Sequence, residues 1–210
     1  MTPRSRWPRS AAAPCSGRDP VSAAEGSAPG WDAIEAALVA QYGDQEPRHQ
    51  GSTLAYASDG HWHYVNYGLS ELFEPVAGAD PAVSGWGFEV TMRVPRDGDE
   101  PPTWPFRMLD EIARYVNDNR ALLAPGHRLD LRQPVTGYPG VDGAPDTGLT
   151  VFAFAVDPVL GEIDTPNGRV VFLQAVGVTA AERDRMVAGS TAEVLAGLGD
   201  RLLRTDPSRA

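Results

Sequence analysis

The stretch from Trp86 to Val94 alternates between large apolar side chains and small or polar ones. Its apolar positions are Trp86, Phe88, Val90, Met92 and Val94, and its polar positions are Glu89, Thr91 and Arg93. A period of two residues is that of a β-strand with one face in the core. The pattern therefore predicts a half-buried antiparallel strand whose polar face contacts water or a partner.

Other patterns predict the elements around this strand. Helices are expected at 31–42, 104–118, 179–187 and 191–203, and further strands at 53–57, 62–68, 149–156 and 169–178. A long glycine- and proline-rich loop is predicted at 124–148. This order lacks regular βαβ alternation. It predicts an α+β fold, a single domain with a mainly antiparallel or mixed sheet and helices packed on it.

Caps and turns refine these boundaries. Asp32 and Thr103 are placed to cap the first two helices, and Thr179 with Glu182 matches a capping box. The pair Asn167-Gly168 predicts a hairpin turn between the last two strands.

Residues 1–30 are predicted to be a disordered tail rich in arginine, proline and alanine, with the domain spanning 31–207. Five prolines and few large apolar side chains give this segment little to bury. Its composition leaves open a transit peptide or a start codon assigned too early.

Composition excludes several classes of protein. Cys15 is the only cysteine, so neither an internal disulfide nor a cysteine-based zinc site is available. The formal net charge is −10, which disfavours nucleic acid as a partner and favours basic proteins. Neither a run of about 18 apolar residues nor a secretory signal occurs. These features predict a cytoplasmic protein that does not bind membranes.

The residues indicate no cofactor, no catalytic set and no metal site. His61 and His63 lie on one face of a predicted strand and could share a metal, but a third ligand is not evident. Glu89 could be solvated or buried and hydrogen-bonded. An enzyme acting through His61, His63 and Glu89 therefore stays open as an alternative.

Several blocks together resemble one known family. They are residues 61–72, 84–93, 101–116 and 165–168, with 172–178 following in the same order and at plausible spacing. Over residues 31–207 they look like the suppressor of fused domain family, and the chain resembles its stand-alone bacterial members. The resemblance implies protein binding without known chemistry. Animal members grip an extended peptide between this domain and a second one, whereas bacterial members are regarded as immunity proteins that silence a toxin domain.

The resemblance also implies a site. Tyr115 matches a tyrosine that lies near the bound peptide in animal members, and His127 stands where those members carry an aspartate. With the adjoining Asn119 and Arg128, these residues form the predicted partner-binding set. The expected function is a non-enzymatic protein-binding module, an immunity-type protein that neutralises a basic toxin domain or binds an extended peptide. A scaffolding subunit is the other alternative.

Overall fold

A computed structural model describes residues 27–74, 78, 80–199 and 204–209. Most of the predicted tail, residues 1–26, lies outside the described residues, as do residues 200–203 of the last predicted helix. Among the described residues, no helix is both long and apolar enough to cross a membrane.

A mixed sheet of eight strands forms the centre of the described domain. In chain order the strands are β1 (Arg48–Gln50), β2 (Thr53–Ser58), β3 (His61–Asn66), β4 (Val83–Pro95), β5 (Arg128–Asp130), β6 (Leu149–Val156), β7 (Glu162–Thr165) and β8 (Gly168–Thr179). They are arranged as β1-β2-β3-β4-β8-β6-β5, and β7 also pairs with β8. The pairing of β4 with β8 is parallel and the others are antiparallel. The predicted α+β class with a mixed sheet is confirmed.

Helices cover both faces of this sheet. They are α1 (Pro29–Tyr42), α2 (Trp104–Asn119), α3 (Ala180–Ala188) and α4 (Thr191–Gly197), and a 3-10 turn follows at Pro207–Arg209. The largest apolar cluster packs α2 against alternate residues of β3, β4, β6 and β8. On the opposite face, one cluster lies under α1 and another under α3 and α4.

One predicted cap, Asp32, is wrong, and another, Thr103, is at the predicted N-cap position of α2 without a capping hydrogen bond. Asp32 lies inside the first turn of α1, which begins at Pro29 after Ala28. The N–H groups of Gly30 and Trp31 instead donate to the carbonyl of Leu72, so a distant loop takes the place of a side-chain cap. Thr103 has helical dihedral angles, and its side chain makes no capping bond. The capping box of Thr179 and Glu182 is confirmed.

The strand from Trp86 to Val94 is confirmed within β4, but its polar face does not contact water. Glu89 and Thr91 are 0% exposed and Arg93 is 1% exposed, because α1 and the bend after β6 cover this face.

Short strands are where the other predictions fail. The predicted loop at 124–148 contains the edge strand β5, and β7 was not predicted. The turn at Asn167-Gly168 exists, but it joins β7 to β8, with Thr165 paired to Gly168.

Close backbone contacts fix the segment from Gly68 to Phe73, which we call the 68–73 loop. Gly85 has φ +56, and a Cβ atom there would lie 2.7 Å from the carbonyl oxygen of Leu69. A Cβ atom on Gly30 would lie 2.1 Å from the carbonyl oxygen of Glu71. Both glycines are therefore required by the approach of this loop, and Gly85 also by its left-handed conformation.

Replacing Gly85 by alanine should destabilise the protein more than replacing Gly43. Gly43 has φ +62 and ψ −138 with nothing within 4 Å of its added Cβ, so Gly43→Ala costs only the backbone strain, about 1–3 kcal/mol. Gly85→Ala adds a steric clash of about 1–3 kcal/mol. Urea unfolding of both variants measures the difference, and equal losses would show that the 68–73 loop is not held closely against β4.

Candidate functional site

The carboxylate of Asp157 lies at the end of β6 and is fully buried. Its Oδ2 accepts hydrogen bonds from His63 Nε2 at 3.0 Å and Thr91 Oγ1 at 2.7 Å. Its Oδ1 accepts from Arg93 Nη2 at 2.8 Å and from the backbone N–H groups of Val159 and Leu160 at 2.9 Å each. Five donors thus converge on one carboxylate from β3, β4 and the bend that follows β6.

These contacts fix the charge states of the cluster. Burial opposes ionisation of Asp157, but the hydrogen bond from His63 and the charge of Arg93 outweigh it and hold the pKa of Asp157 well below its usual range. Burial lowers the pKa of His63 to about 4, against the opposing effect of Asp157. At neutral pH His63 is therefore uncharged, with its proton on Nε2. Its Nδ1 then accepts a hydrogen bond from the hydroxyl group of Tyr42. Burial raises the pKa of Tyr42 to about 12.

A second buried carboxylate, Glu89, holds the 68–73 loop. Its Oε1 accepts from the N–H groups of Gly68 at 3.0 Å, Leu69 at 3.2 Å and Ser70 at 2.9 Å, and from Ser70 Oγ at 2.6 Å. Burial raises the pKa of Glu89 to about 7, although these hydrogen bonds favour the ionised form. Glu89 therefore acts as an anchor for backbone amides.

The residues of the enzyme alternative do not meet in one site. His63 pairs with Arg93 across β3 and β4, and Glu89 lies four residues earlier on β4, roughly 13 Å along the strand. His63 and Glu89 are both 0% exposed, with their polar atoms in hydrogen bonds. His61 instead bonds through Nδ1 to the carbonyl of Asp59. No group of three or more metal-ligating side chains occurs within the described residues.

The predicted partner-binding residues lie on the surface as two pairs. Tyr115 and Asn119 are on the exposed side of α2, where Asn119 Nδ2 donates to the carbonyl of Tyr115. His127 and Arg128 lie at the start of β5, and Arg128 Nη1 donates to Thr191 Oγ1 at 2.5 Å. Helix α2 contacts β2, β3 and β4 directly, and β5 is an edge strand of the sheet beside β6. No hydrogen bond or ring contact joins the two pairs in the part of the chain that the structure describes.

Sequence reasoning missed a convergence at the 68–73 loop. Ser84 Oγ accepts from the N–H of Glu71, and Asn167 Nδ2 donates to the carbonyls of Glu71 and Phe73. Three of the blocks that carry the family resemblance, 61–72, 84–93 and 165–168, therefore meet at one place in the fold. The recurrence of glycine and short polar residues in these blocks was the available signal.

Comparison with known proteins agrees with this architecture. The family model described as suppressor of fused protein (SUFU) matches residues 46–210. The chain belongs to the suppressor of fused family. Suppressor of fused homologs from Homo sapiens and Mus musculus are each 33% identical to it over 142 residues, or 64% of this chain.

Solved structures of the family share the fold. A crystal structure of a Sufu–Fu complex aligns with a TM-score of 0.75 and 28% identity, covering 88% of this chain and 92% of that chain. Drosophila Suppressor of Fused aligns with the same score and identity, covering 51% of that chain. The matched region is 28% of the human and mouse proteins, so this chain spans about a quarter of their length.

Glu89 should make a distinctive contribution to the pH dependence of stability. Its folded pKa of about 7 lies above its ordinary value of 4.5, so between these values the folded state holds a proton that the unfolded state has lost. The stabilisation is complete below pH 4.5 and is lost as the pH rises through 7, by about 3 kcal/mol.

We expect this contribution to be absent in Glu89→Gln. Urea unfolding at pH 5 and pH 8 should therefore show the wild type losing more stability, relative to the variant, at the higher pH. His63 is present in both proteins, so its effect cancels in the comparison. If the stability difference between the wild type and Glu89→Gln were equal at both pH values, or shifted in favour of the wild type at pH 8, the raised pKa of Glu89 would be contradicted.

Proposed function

We propose that this protein is a non-enzymatic protein-binding module that pairs an extended segment of its partner with the free edge of β5. More specifically, we propose an immunity-type protein that binds and neutralises a toxin domain. The observation that carries the proposal is the exposed backbone edge at Arg128–Asp130, supported by exposed apolar residues, family membership and charge.

Strand β5 has an unpaired edge among the described residues. It is the last strand in the sheet order and pairs on one side with β6. The N–H of Leu131 donates to Thr150, and the carbonyl of His127 accepts from Phe154, so residues 127, 129 and 131 direct their backbone groups toward β6. By the alternation of an antiparallel ladder, the backbone groups of Arg128 and Asp130 point away from the sheet. An extended peptide can bind such an edge by strand addition.

Exposed apolar side chains lie on the chain segment that leads to this edge. Tyr115 is 38% exposed and Leu122 is 65% exposed, although both lie close in sequence to buried core residues. Aromatic side chains that keep an exposed polar end are common energetic anchors of interfaces. Tyr115 and Asn119 therefore extend the proposed surface, with backbone pairing at Arg128 and side-chain contacts at the end of α2.

Family membership supports a protein as the ligand. A similar chain has been solved in a Sufu–Fu complex, so a domain of this fold occurs in a complex with a protein. The net charge of −10 supports a basic partner, because opposite charge accelerates association and disfavours nucleic acid. Many toxin domains that cleave nucleic acids are basic, which is why neutralisation of such a domain is the specific proposal. The enzyme alternative has less support, since His63 and Glu89 are buried and occupied.

The backbone edge can be tested with a matched pair of variants. Arg128→Ala and Arg128→Pro both remove the side chain, but only proline removes the outward N–H, and proline is tolerated at edge positions of this kind. We expect Arg128→Pro to bind the partner captured by the wild-type protein roughly fivefold more weakly than Arg128→Ala, the effect of one lost hydrogen bond.

Circular dichroism and thermal unfolding establish that both variants keep the fold. If the partner is a toxin, growth of cells that express it should be rescued better by Arg128→Ala than by Arg128→Pro. Equal binding by the two folded variants would exclude strand addition at β5. Partner expression that leaves growth unimpaired would exclude the toxin-neutralising form of the proposal.

A further inference from the structure

A pocket of about 500 Å³ opens beside the end of α2. It is lined by the whole 68–73 loop together with Gly85, Trp86 and Arg120, and we call it the Arg120 pocket. Its volume lies within the range of about 300–1,000 Å³ typical of ligand sites. No residue of β5 lines it, and Arg120 precedes β5 by eight residues in the chain.

One wall of the pocket is irregular backbone that is unusually well fixed. Glu89 holds its first three amides, Ser84 holds the amide of Glu71, and Asn167 holds two of its carbonyls. The carbonyl of Leu72 accepts from the first turn of α1. A wall fixed by three separate elements, β4, the turn between β7 and β8, and α1, is ordered before any ligand arrives, which reduces the entropy lost on binding.

The other wall offers a cation beside an aromatic ring. Trp86 is oriented by its Nε1–H, which donates to Asn117 Oδ1 at 2.9 Å. Arg120 ends α2 with φ +51, a left-handed conformation that few residues other than glycine adopt. Its guanidinium forms no ion pair with any residue that the structure describes. This side chain is therefore available to an anion from outside.

The 68–73 loop adds further donors and an apolar surface. The backbone N–H groups of Leu72 and Phe73 donate to no other residue within the described ranges. The side chain of Phe73 is 59% exposed, a large apolar group left in contact with water. A ligand that combines an anion with an apolar group would satisfy both features at once.

We propose that the Arg120 pocket binds a carboxylate of the partner polypeptide together with a neighbouring aromatic or apolar side chain. The carboxylate pairs with Arg120 and accepts from the amides of Leu72 and Phe73, while the apolar side chain packs between Trp86 and Phe73. This inference rests on the proposed function, because it names a feature of the same protein partner. The chain is acidic overall and therefore attracts a basic partner. The single arginine in the pocket would select one acidic residue of that partner.

Glu71 contributes the one carboxylate among the residues that line the pocket. Its backbone is held on both sides, at the N–H by Ser84 and at the carbonyl by Asn167. Because it repels a ligand carboxylate, Glu71→Gln should leave binding unchanged or make it tighter. Weaker binding by this variant would mean that Glu71 itself holds the ligand, and would overturn the assignment.

The test uses two blocked peptides that differ in one group. Acetyl-Gly-Phe-Asp-amide carries the carboxylate, and acetyl-Gly-Phe-Asn-amide replaces it with a neutral amide of the same shape. Binding to the full chain is followed by NMR at the indole N–H of Trp86. We expect the Asp peptide to bind about tenfold more tightly than the Asn peptide, as for a charge-assisted hydrogen bond.

Arg120→Asn should abolish this preference, since asparagine tolerates the left-handed backbone but carries no charge. Arg107→Gln is the control: it removes another exposed arginine from α2, 13 residues earlier or roughly 20 Å along the helix, and should keep the preference. Equal affinities of the two peptides, absence of binding, or a preference that survives in Arg120→Asn would overturn the proposal. Phenylacetate binding as tightly as the Asp peptide would also overturn it, in favour of a free small acid.

Failure here is distinguishable from failure of the proposed function. The peptides need no partner protein and do not touch β5, so Arg128→Pro should bind the Asp peptide as the wild type does. Peptide binding with no effect of Arg128→Pro on partner capture would support the Arg120 pocket and contradict strand addition. The reverse result would contradict the pocket alone.

Discussion

The packing of this sheet depends on the hydrogen bonds and the ion pair that the carboxylate of Asp157 forms. It lies on the face between the apolar cluster under α1 and the cluster under α3 and α4. Arg93 and His63 occupy that face with 1% and 0% exposure, and both are bound by Asp157. Without this carboxylate Arg93 would be a buried charge lacking its ionic partner, at a cost of about 3–5 kcal/mol. Tyr42 extends the network to α1 through His63, so one anion connects three strands and a helix.

Glu89 is a second buried carboxylate that fixes its surroundings through hydrogen bonds, in this case a loop. It gathers the amides of the 68–73 loop, and this loop in turn caps α1 through Leu72 and forms a wall of the Arg120 pocket. His63 and Glu89, two of the residues of the enzyme alternative, therefore both have structural roles. The surface features on which the proposed binding depends are the backbone edge of β5, the exposed end of α2 and the Arg120 pocket.

Local patterns in the sequence predicted local structure well. The alternation of β4, the stripe of α2 and the capping box at Thr179 depend on neighbours within a few residues, and each is present. Burial of the polar face of β4 could not be predicted, because Arg93 and His63 find Asp157 at separations of 64 and 94 residues. The cap of α1 failed for the same reason, since Leu72 supplies it. Tyr115 and Arg128 were predicted to contribute to one surface; the fold places them on different elements, the end of α2 and the start of β5, and their joint role stays a prediction.

Hydrogen exchange of single amides tests the central claim, that a partner strand pairs with the β5 edge. The amides of Arg128 and Asp130 point away from the sheet, whereas that of Leu129 already faces β6. Comparing the free protein with the protein saturated by its partner, the account predicts slower exchange at Arg128 and Asp130 and little change at Leu129. Unchanged exchange at both outward amides, or protection confined to the opposite edge at Arg48–Gln50, would contradict it.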